Sequence, residues 1–313
     1  MTLYVLKLSD ASVRYIDMFN DRSLEKIDGN VISKVYNQSV AVLNNQKILM
    51  RTGCNMDGKW QLIGRTYDAN LNELSAPFVE KLSYNGMTVD FTLSNWWSMC
   101  NTLYGTSLSD IARTDSNEIA GICRSGNYYY TVHAFYHQIN EVIPTVLLKS
   151  LDAITWEPVA CLTKTHVNSE TAITALNNKL YIAFRNNNNG TFYMVTDMDG
   201  NVLQDWTSTG GGISSRPSIA SAGGKIYIAY NHATGNSKHF GRNGLTIAEI
   251  NQTSYELTTF KTWKSNNGYN YFAITPTINQ NLIIANVEDF RGYNYANNRN
   301  ATTDINIAEI ELL

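Results

Sequence analysis

Charge is scarce in this chain: only 16% of its 313 residues are charged, and 24 basic against 27 acidic side chains leave a net charge of -3. There is no polybasic stripe to follow a phosphate backbone and no acidic tail, which sets nucleic acid aside as a partner. Long apolar runs are missing as well. No window of 18 apolar residues occurs, so no segment reads as a membrane-spanning helix. The opening MTLYVLKLSD also lacks a basic region followed by a long apolar stretch. The expectation is a soluble chain without membrane insertion, secreted or at the cell surface if a leader was removed before residue 1 and cytoplasmic otherwise. Metal motifs are absent too: Cys54, Cys100, Cys123 and Cys161 form no CxxC and have no ligand spacing, leaving one or two disulfides or buried free thiols as the readings. His133 and His137 alternate along a strand pattern, where four residues span about 13 Å, too far for one zinc ion. Sequons at Asn37, Asn189, Asn251 and Asn300 are expected by chance in a chain this rich in Asn. Nothing in the sequence sets an oligomeric state.

What remains for a polar surface is Asn, Ser, Thr and 19 Tyr, a chemistry suited to neutral ligands read by hydrogen bonds and ring faces. It is also the ordinary composition of β-rich proteins. Internal repetition is the stronger signal. RPSIASAGGKIYIAYN (216–231) reads as apolar run, turn, apolar run. SETAITALNNKLYIAFRN (169–186) and QSVAVLNNQKILMRT (38–52) repeat it; DIARTDSNEIAGICRS (110–125) is a copy with a polar turn, and YFAITPTINQNLIIANV (271–287) one with a shifted turn. Further strands follow the hairpins, and LTIAEI after one matches INIAEI after another. The unit is therefore three to four antiparallel strands. One such sheet cannot bury both faces, whereas sheets stacked around an axis do. Spacings of roughly 45 to 75 residues fit propeller blades. The expectation is a single all-β domain over 1–313, a β-propeller of five blades, with TLYVLKL and VRYIDMF closing the last blade. A six-bladed version is the alternative, with MTVDFTLSNWWSMCNTLYG (87–105) as either an insertion or a degenerate blade. No amphipathic helix of useful length is expected.

KSLDAITW (149–156) resembles the Asp-box turn of sialidase-like propellers, Ser-x-Asp-x-Gly-x-Thr-Trp. Ser150, Asp152, Thr155 and Trp156 match, although the segment is one residue shorter and lacks the Gly. TDMDGNVLQDW (196–206) is a looser copy, and SxRPSIA followed by GGKIYIAY is similar to the inner hairpin of sialidase-like and related glycosidase propellers. In such proteins the Asp-box is structural, so these residues are not expected to be catalytic.

The residues flanking each hairpin carry the functional expectation. Entering and leaving residues of a hairpin lie at one end of its sheet. The entering set is Gln38, Asp110, Glu170, Arg216 and Tyr271; the leaving set is Arg51, Arg124, Arg185, Asn231 and about Asn286. Charged groups bracketing apolar strands must pair or face water. Glycoside cleavage needs two carboxyl groups. The resemblance assigns Glu170 as general acid and Asp110 as base or nucleophile, acting on a glycan in a central pocket. Substrate contacts would come from Gln38, Arg51, Arg124, Arg185, Arg216, Asn231, Tyr271, Trp97 and His232. The chain departs from the family at Gln38, where inverting five-bladed hydrolases carry Asp, and in lacking an Arg-Ile-Pro start. Tyr271 is the candidate for a sialidase-type nucleophile. No cofactor is required, and calcium is compatible with Asp110 and the Asn-rich loops without any motif demanding it. A carbohydrate-binding lectin without catalysis is the alternative; the differing entering residues favour one asymmetric site over repeated lectin sites. A protein-interaction propeller is the third reading.

Overall fold

The structure, a computed structural model, describes residues 2–7, 12–17, 26–27, 30–56, 59–106, 117–118, 121–135, 144–163, 168–186, 190–210, 216–232, 244–264, 269–277, 279–289 and 303–312. Its architecture is a β-propeller of five sheets, each built mostly of antiparallel strands. By its internal contacts the chain divides into two compact units, one of residues 1–113 and 152–157, the other of residues 114–151 and 158–313.

The first unit opens with β1 (Thr2–Lys7) and β2 (Ser12–Asp17), which pair with each other as a two-stranded sheet. The first blade follows as β3 (Lys26–Ile27), β4 (Asn30–Val42), β5 (Ile48–Met56), β6 (Lys59–Tyr67) and β7 (Phe78–Val79). Its core is Met50, Cys54, Met56, Ile63, Tyr67 and Val79. The segment after it is an insertion rather than a sixth blade. A hairpin of β8 (Lys81–Tyr84) and β9 (Met87–Asp90) leads into the helix α1 (Leu93–Tyr104). This corrects the expectation of no amphipathic helix. The signals were local: Thr92 Oγ1 accepts the Asn95 N–H as N-cap, and Gly105 takes φ +64° as C-cap.

In the second unit lie β10 (Asn117–Glu118), β11 (Ile122–Ser125), β12 (Tyr128–Phe135) and β13 (Thr145–Ser150). β14 (Thr155–Thr163) begins in the first unit, where Thr155 and Trp156 pair in parallel with Lys81 and Leu82 of β8, and the sheet runs in the order β10-β12-β13-β14-β8-β9 with β11 on β12. The next two blades are four-stranded meanders. One is β15 (Asn168–Leu176), β16 (Lys179–Asn186), β17 (Gly190–Asp197) and β18 (Val202–Ser208). The other is β19 (Ser218–Ala222), β20 (Lys225–His232), β21 (Gly244–Ile250) and β22 (Leu257–Lys264). The last sheet has β23 (Tyr269–Pro276), β24 (Leu282–Asp289) and β25 (Thr303–Ile310).

Turn chemistry explains the registers. Asn177 and Asn178 (φ +52° and +56°) and Gly223 and Gly224 (φ +56° and +72°) close two-residue hairpins that need positive φ at both positions. The register set by each turn sends alternate residues to opposite faces. Ala172, Tyr181 and Ala183 thus pack against Ile219, Ile228 and Tyr230 of the next blade, while Ile173, Leu180 and Ile182 pack the other way, onto Tyr130 and Val132. All four cysteines are free thiols, Cys54 and Cys100 buried. Burial pushes the Cys54 thiol up to about 12.

Candidate functional site

Which end of each sheet faces which is decided by one glutamine. Asn177 Nδ2 donates to Gln252 Oε1 at 2.7 Å, Lys179 Nζ to the Gln252 carbonyl at 3.0 Å, and Gln252 Nε2 to the Gly224 carbonyl at 2.7 Å. The β15–β16, β19–β20 and β21–β22 turns are thereby pinned together. The Gly223 N–H reaches Gln280 Oε1 at 3.3 Å, adding the β23–β24 turn. The opposite strand ends must then gather at the other end of this unit. That end receives Glu170, Arg185, Arg216, Asn231, His232 and, by backbone position, Tyr271.

Glu170 owes its place to a β-bulge. β15 and β16 pair Asn168 with Asn186 and then Thr171 with Phe184, so Ser169 and Glu170 together oppose Arg185. Such an extra residue re-aims a side chain. The carboxylate accepts from Arg185 Nη1 through Oε2 at 2.6 Å. Its side chain is 1% exposed against 19% for Arg185, and no described residue hydrogen-bonds to Oε1. Leaving a buried carboxylate oxygen without a donor is expensive, which marks Oε1 as a candidate ligand contact. Entering strands β4 and β23 carry similar irregularities, between Val35 and Gln38 and at Tyr271, which sits between Asn270 and Phe272.

At the same end of the unit, Asn231 is fully buried and donates through Nδ2 to the Gly244 carbonyl at 3.2 Å. His232 is half-buried, its Nδ1 lying 2.8 Å from Thr246 Oγ1. Arg216 is half-buried just ahead of β19.

Other expected residues go elsewhere. Arg51 is 0% exposed and engages Glu80 in a two-pronged pair, Nε to Oε1 at 3.0 Å and Nη2 to Oε2 at 2.7 Å. The Asp-box Trp156 completes this knot, donating from Nε1 to Glu80 Oε2 at 2.6 Å while the Arg51 guanidinium lies 4.9 Å from its ring centre. Burial pushes the Glu80 carboxyl up, opposed by Arg51 and the Trp156 indole. Sequence reasoning missed Glu80, although it is the one acidic residue in the stretch FVEKL. Asp152 does what an Asp-box residue should, its Oδ1 accepting from the Ile154 and Thr155 N–H groups at 2.8 and 2.7 Å. Asp197 ties its turn through Asp199 and Asn201, and Asp68 does the same through Asn70 and Asn72, an unforeseen copy. The Asn201 and Asn72 bonds hold both carboxyls below the usual range.

Two expectations are corrected outright. Arg124 does not leave its hairpin at the Glu170 end: the hairpin is β11–β12, closed at Gly126 and Asn127, and Arg124 is exposed one residue from that turn. Trp97 is 2% exposed in the interior with Trp96, which stacks on Phe91 at 5.6 Å, so neither forms an open sugar-stacking wall. Asp110 lies outside the described residues, as do the side chains of Gln38 and Tyr271. No group of three or more His, Cys, Asp or Glu able to hold a metal occurs among the described residues, and no helix there is long and apolar enough to cross a membrane.

No protein-family model and no curated protein sequence matches the chain. Solved structures do. The sialidase of Trypanosoma rangeli, in complex with 2,3-difluorosialic acid as a covalent intermediate, is 14% identical with a TM-score of 0.59, over 91% of this chain and 47% of that one. A protein of unknown function from Dyadobacter fermentans is 11% identical with a TM-score of 0.60, over 90% and 78%. Sucrose-6-phosphate hydrolase of Lactobacillus gasseri is 8% identical with a TM-score of 0.54, over 89% and 59%. The chain spans about half the length of the sialidase. At these identities the likeness is one of fold, and that fold is the β-propeller.

Proposed function

We propose that the protein is a glycoside hydrolase whose proton-transfer residue is Glu170. The observation that carries this reading is the bulge-aimed, buried carboxylate, held on Oε2 by Arg185 and with no described residue hydrogen-bonded to Oε1. Glycosidic cleavage needs a carboxyl group that protonates the leaving oxygen. Arg185 fixes the plane of the carboxylate, so Oε1 is the atom able to pass a proton to a bound sugar. Asn231, His232 and Arg216 supply neutral and cationic hydrogen-bonding groups at the same end, fitting a hydroxyl-rich ligand. Asp110 is the sequence's candidate for the second carboxylate. Sialidases and sucrose-6-phosphate hydrolase, which share the fold, are named for cleaving sugars, and that supports the reaction class rather than the sugar.

The test is a panel of 4-methylumbelliferyl glycosides of neutral hexoses, pentoses and N-acetylneuraminic acid, assayed beside a glycan-array binding screen. Wild-type turnover should fall about 10²- to 10⁴-fold in Glu170→Gln, the range for loss of a general acid. A folded variant, verified by circular dichroism at the assay temperature, makes that loss chemical. Glycan binding without release of sugar by the wild type would make the protein a lectin; undiminished turnover by Glu170→Gln would refute the role of that residue.

A further inference from the structure

The hairpin expected to start at Asp110 is closed at Gly126 and Asn127, so the chain enters it along β10 and β11. Both strands pair with β12, Glu118 with Ala134 and Ile122 with Thr131. Between those two pairs the entering side advances four residues and β12 only three. One extra residue is taken up, as at Glu170, and Thr131 Oγ1 holds the irregular segment by donating to the Gly121 carbonyl at 3.0 Å.

The register carries Glu118 to the Glu170 end of the unit. Burial, and then the charge of Asp199 in the turn after β17, push the Tyr130 phenol up, which sets this part of β12 near the turn end of the neighbouring blade. Further along β12, the Val132 carbonyl accepts from Thr171 Oγ1 at 3.0 Å. Two residues on, about 7 Å by strand rise, Ala134 draws level with the bulge of Ser169 and Glu170. Ala134 is the ladder partner of Glu118, and β10 comes within 8 Å of β15, Cα to Cα. Directly opposed residues share a face of the sheet. Position 118 therefore belongs to the face of β12 that carries Tyr130 and Val132, which pack on Ile173 of β15. Glu288 and Asp289 also end their strand at this end of the unit, but two sheets away from β15, whereas β10 adjoins it.

We infer that Glu118 is the second catalytic carboxylate, acting with Glu170 on one glycosidic bond. Glu170 gives its proton to the leaving oxygen, which also keeps the electron pair of the broken bond. Glu118 serves the anomeric carbon in one of two ways. It takes a proton from the water whose oxygen bonds to that carbon, or it bonds to the carbon itself and is displaced by water that Glu170 deprotonates. Both routes consume one water and return each carboxyl to its starting state.

This inference rests on the hydrolase reading, and the assays separate the two. On the 4-methylumbelliferyl glycoside turned over best, Glu118→Gln should lower kcat about 10²- to 10⁴-fold, with folding verified by circular dichroism. In Glu118→Ala, sodium azide should restore turnover and yield a glycosyl azide, a nitrogen of azide bonding to the anomeric carbon as the aglycone leaves with the proton of Glu170. A merely structural carboxylate would not respond to azide. Should these variants fail to fold, the wild type decides. An epoxyalkyl glycoside of the same sugar is opened by the catalytic carboxylate to an ester, and peptide mapping should find that ester on Glu118. An ester on Asp110, Glu288 or Asp289, or undiminished turnover by Glu118→Gln, would overturn the assignment and leave the role of Glu170 standing. Absence of turnover by the wild type on every glycoside would remove both readings together.

Discussion

Arg51→Met offers the cleanest reading of the energetics inside the first unit. The substitution keeps apolar bulk over Trp156 but removes the guanidinium that meets both oxygens of Glu80. Glu80 is 0% exposed, so its carboxylate would be left buried with the Trp156 indole as the donor already seen at 2.6 Å. Breaking one side of a buried pair in this way costs about 3–5 kcal/mol. Adding Glu80→Gln removes the stranded charge while keeping an acceptor for Trp156. The double variant should therefore recover at least about 2 kcal/mol of the loss, because an amide is far cheaper to bury than an ion. Urea unfolding followed by tryptophan fluorescence suits the test, since Trp60, Trp96, Trp97 and Trp156, four of the six, belong to this unit. The pH dependence has a definite sign. Burial already pushes the Glu80 carboxyl up, and Arg51 is its chief opponent. Without Arg51 the folded state binds a proton more readily than the unfolded chain, so the stability of Arg51→Met should rise relative to wild type as pH falls from 7 toward 5. A single-variant cost below about 1 kcal/mol, or a double variant as unstable as the sum of the singles, would refute the account of a buried, mutually dependent knot.

Further outcomes follow from local geometry. Gly200 has φ +82° and a Cβ there would stand 2.4 Å from Ala160 Cβ, so Gly200→Ala should cost more than about 2 kcal/mol from combined strain and overpacking, read as a lowered urea midpoint. Cys54, pushed up to about 12 from 9.0, keeps its proton in the folded state at pH values where the unfolded chain loses it. Stability should accordingly decline as pH rises from about 9 toward 12, and Cys54→Ala should flatten part of that decline in alkaline urea titrations.

Much of the fold was legible because it is local. Apolar alternation and the Asn-Asn and Gly-Gly turns are properties of a few adjacent residues, and they placed the hairpins around 177–178 and 223–224 where the structure has them. Arg124 was misplaced because the Ser-Gly-Asn turn signal at 125–127 was passed over for an earlier polar stretch. The helix α1 was missed because WWSMC buries Trp96, Trp97, Met99 and Cys100 without charged residues to mark an outer face.

The chain by itself determined the antiparallel blade unit and the hairpins that turn at 177–178 and 223–224, since strand period and turn φ are set within a hairpin. Only the tertiary structure decided which of those residues could meet. The bulge that turns Glu170 onto Arg185 is a mismatch of register between two strands, invisible in either strand alone. The seat of His232 depends on Gly244, 12 positions away in the chain and opposite it in the β20–β21 ladder. Arg51 was drawn into the interior by Glu80, 29 residues distant, and by Trp156, which lies 76 residues beyond Glu80. A buried charge goes where its partner is, and partners are chosen by packing rather than by sequence distance.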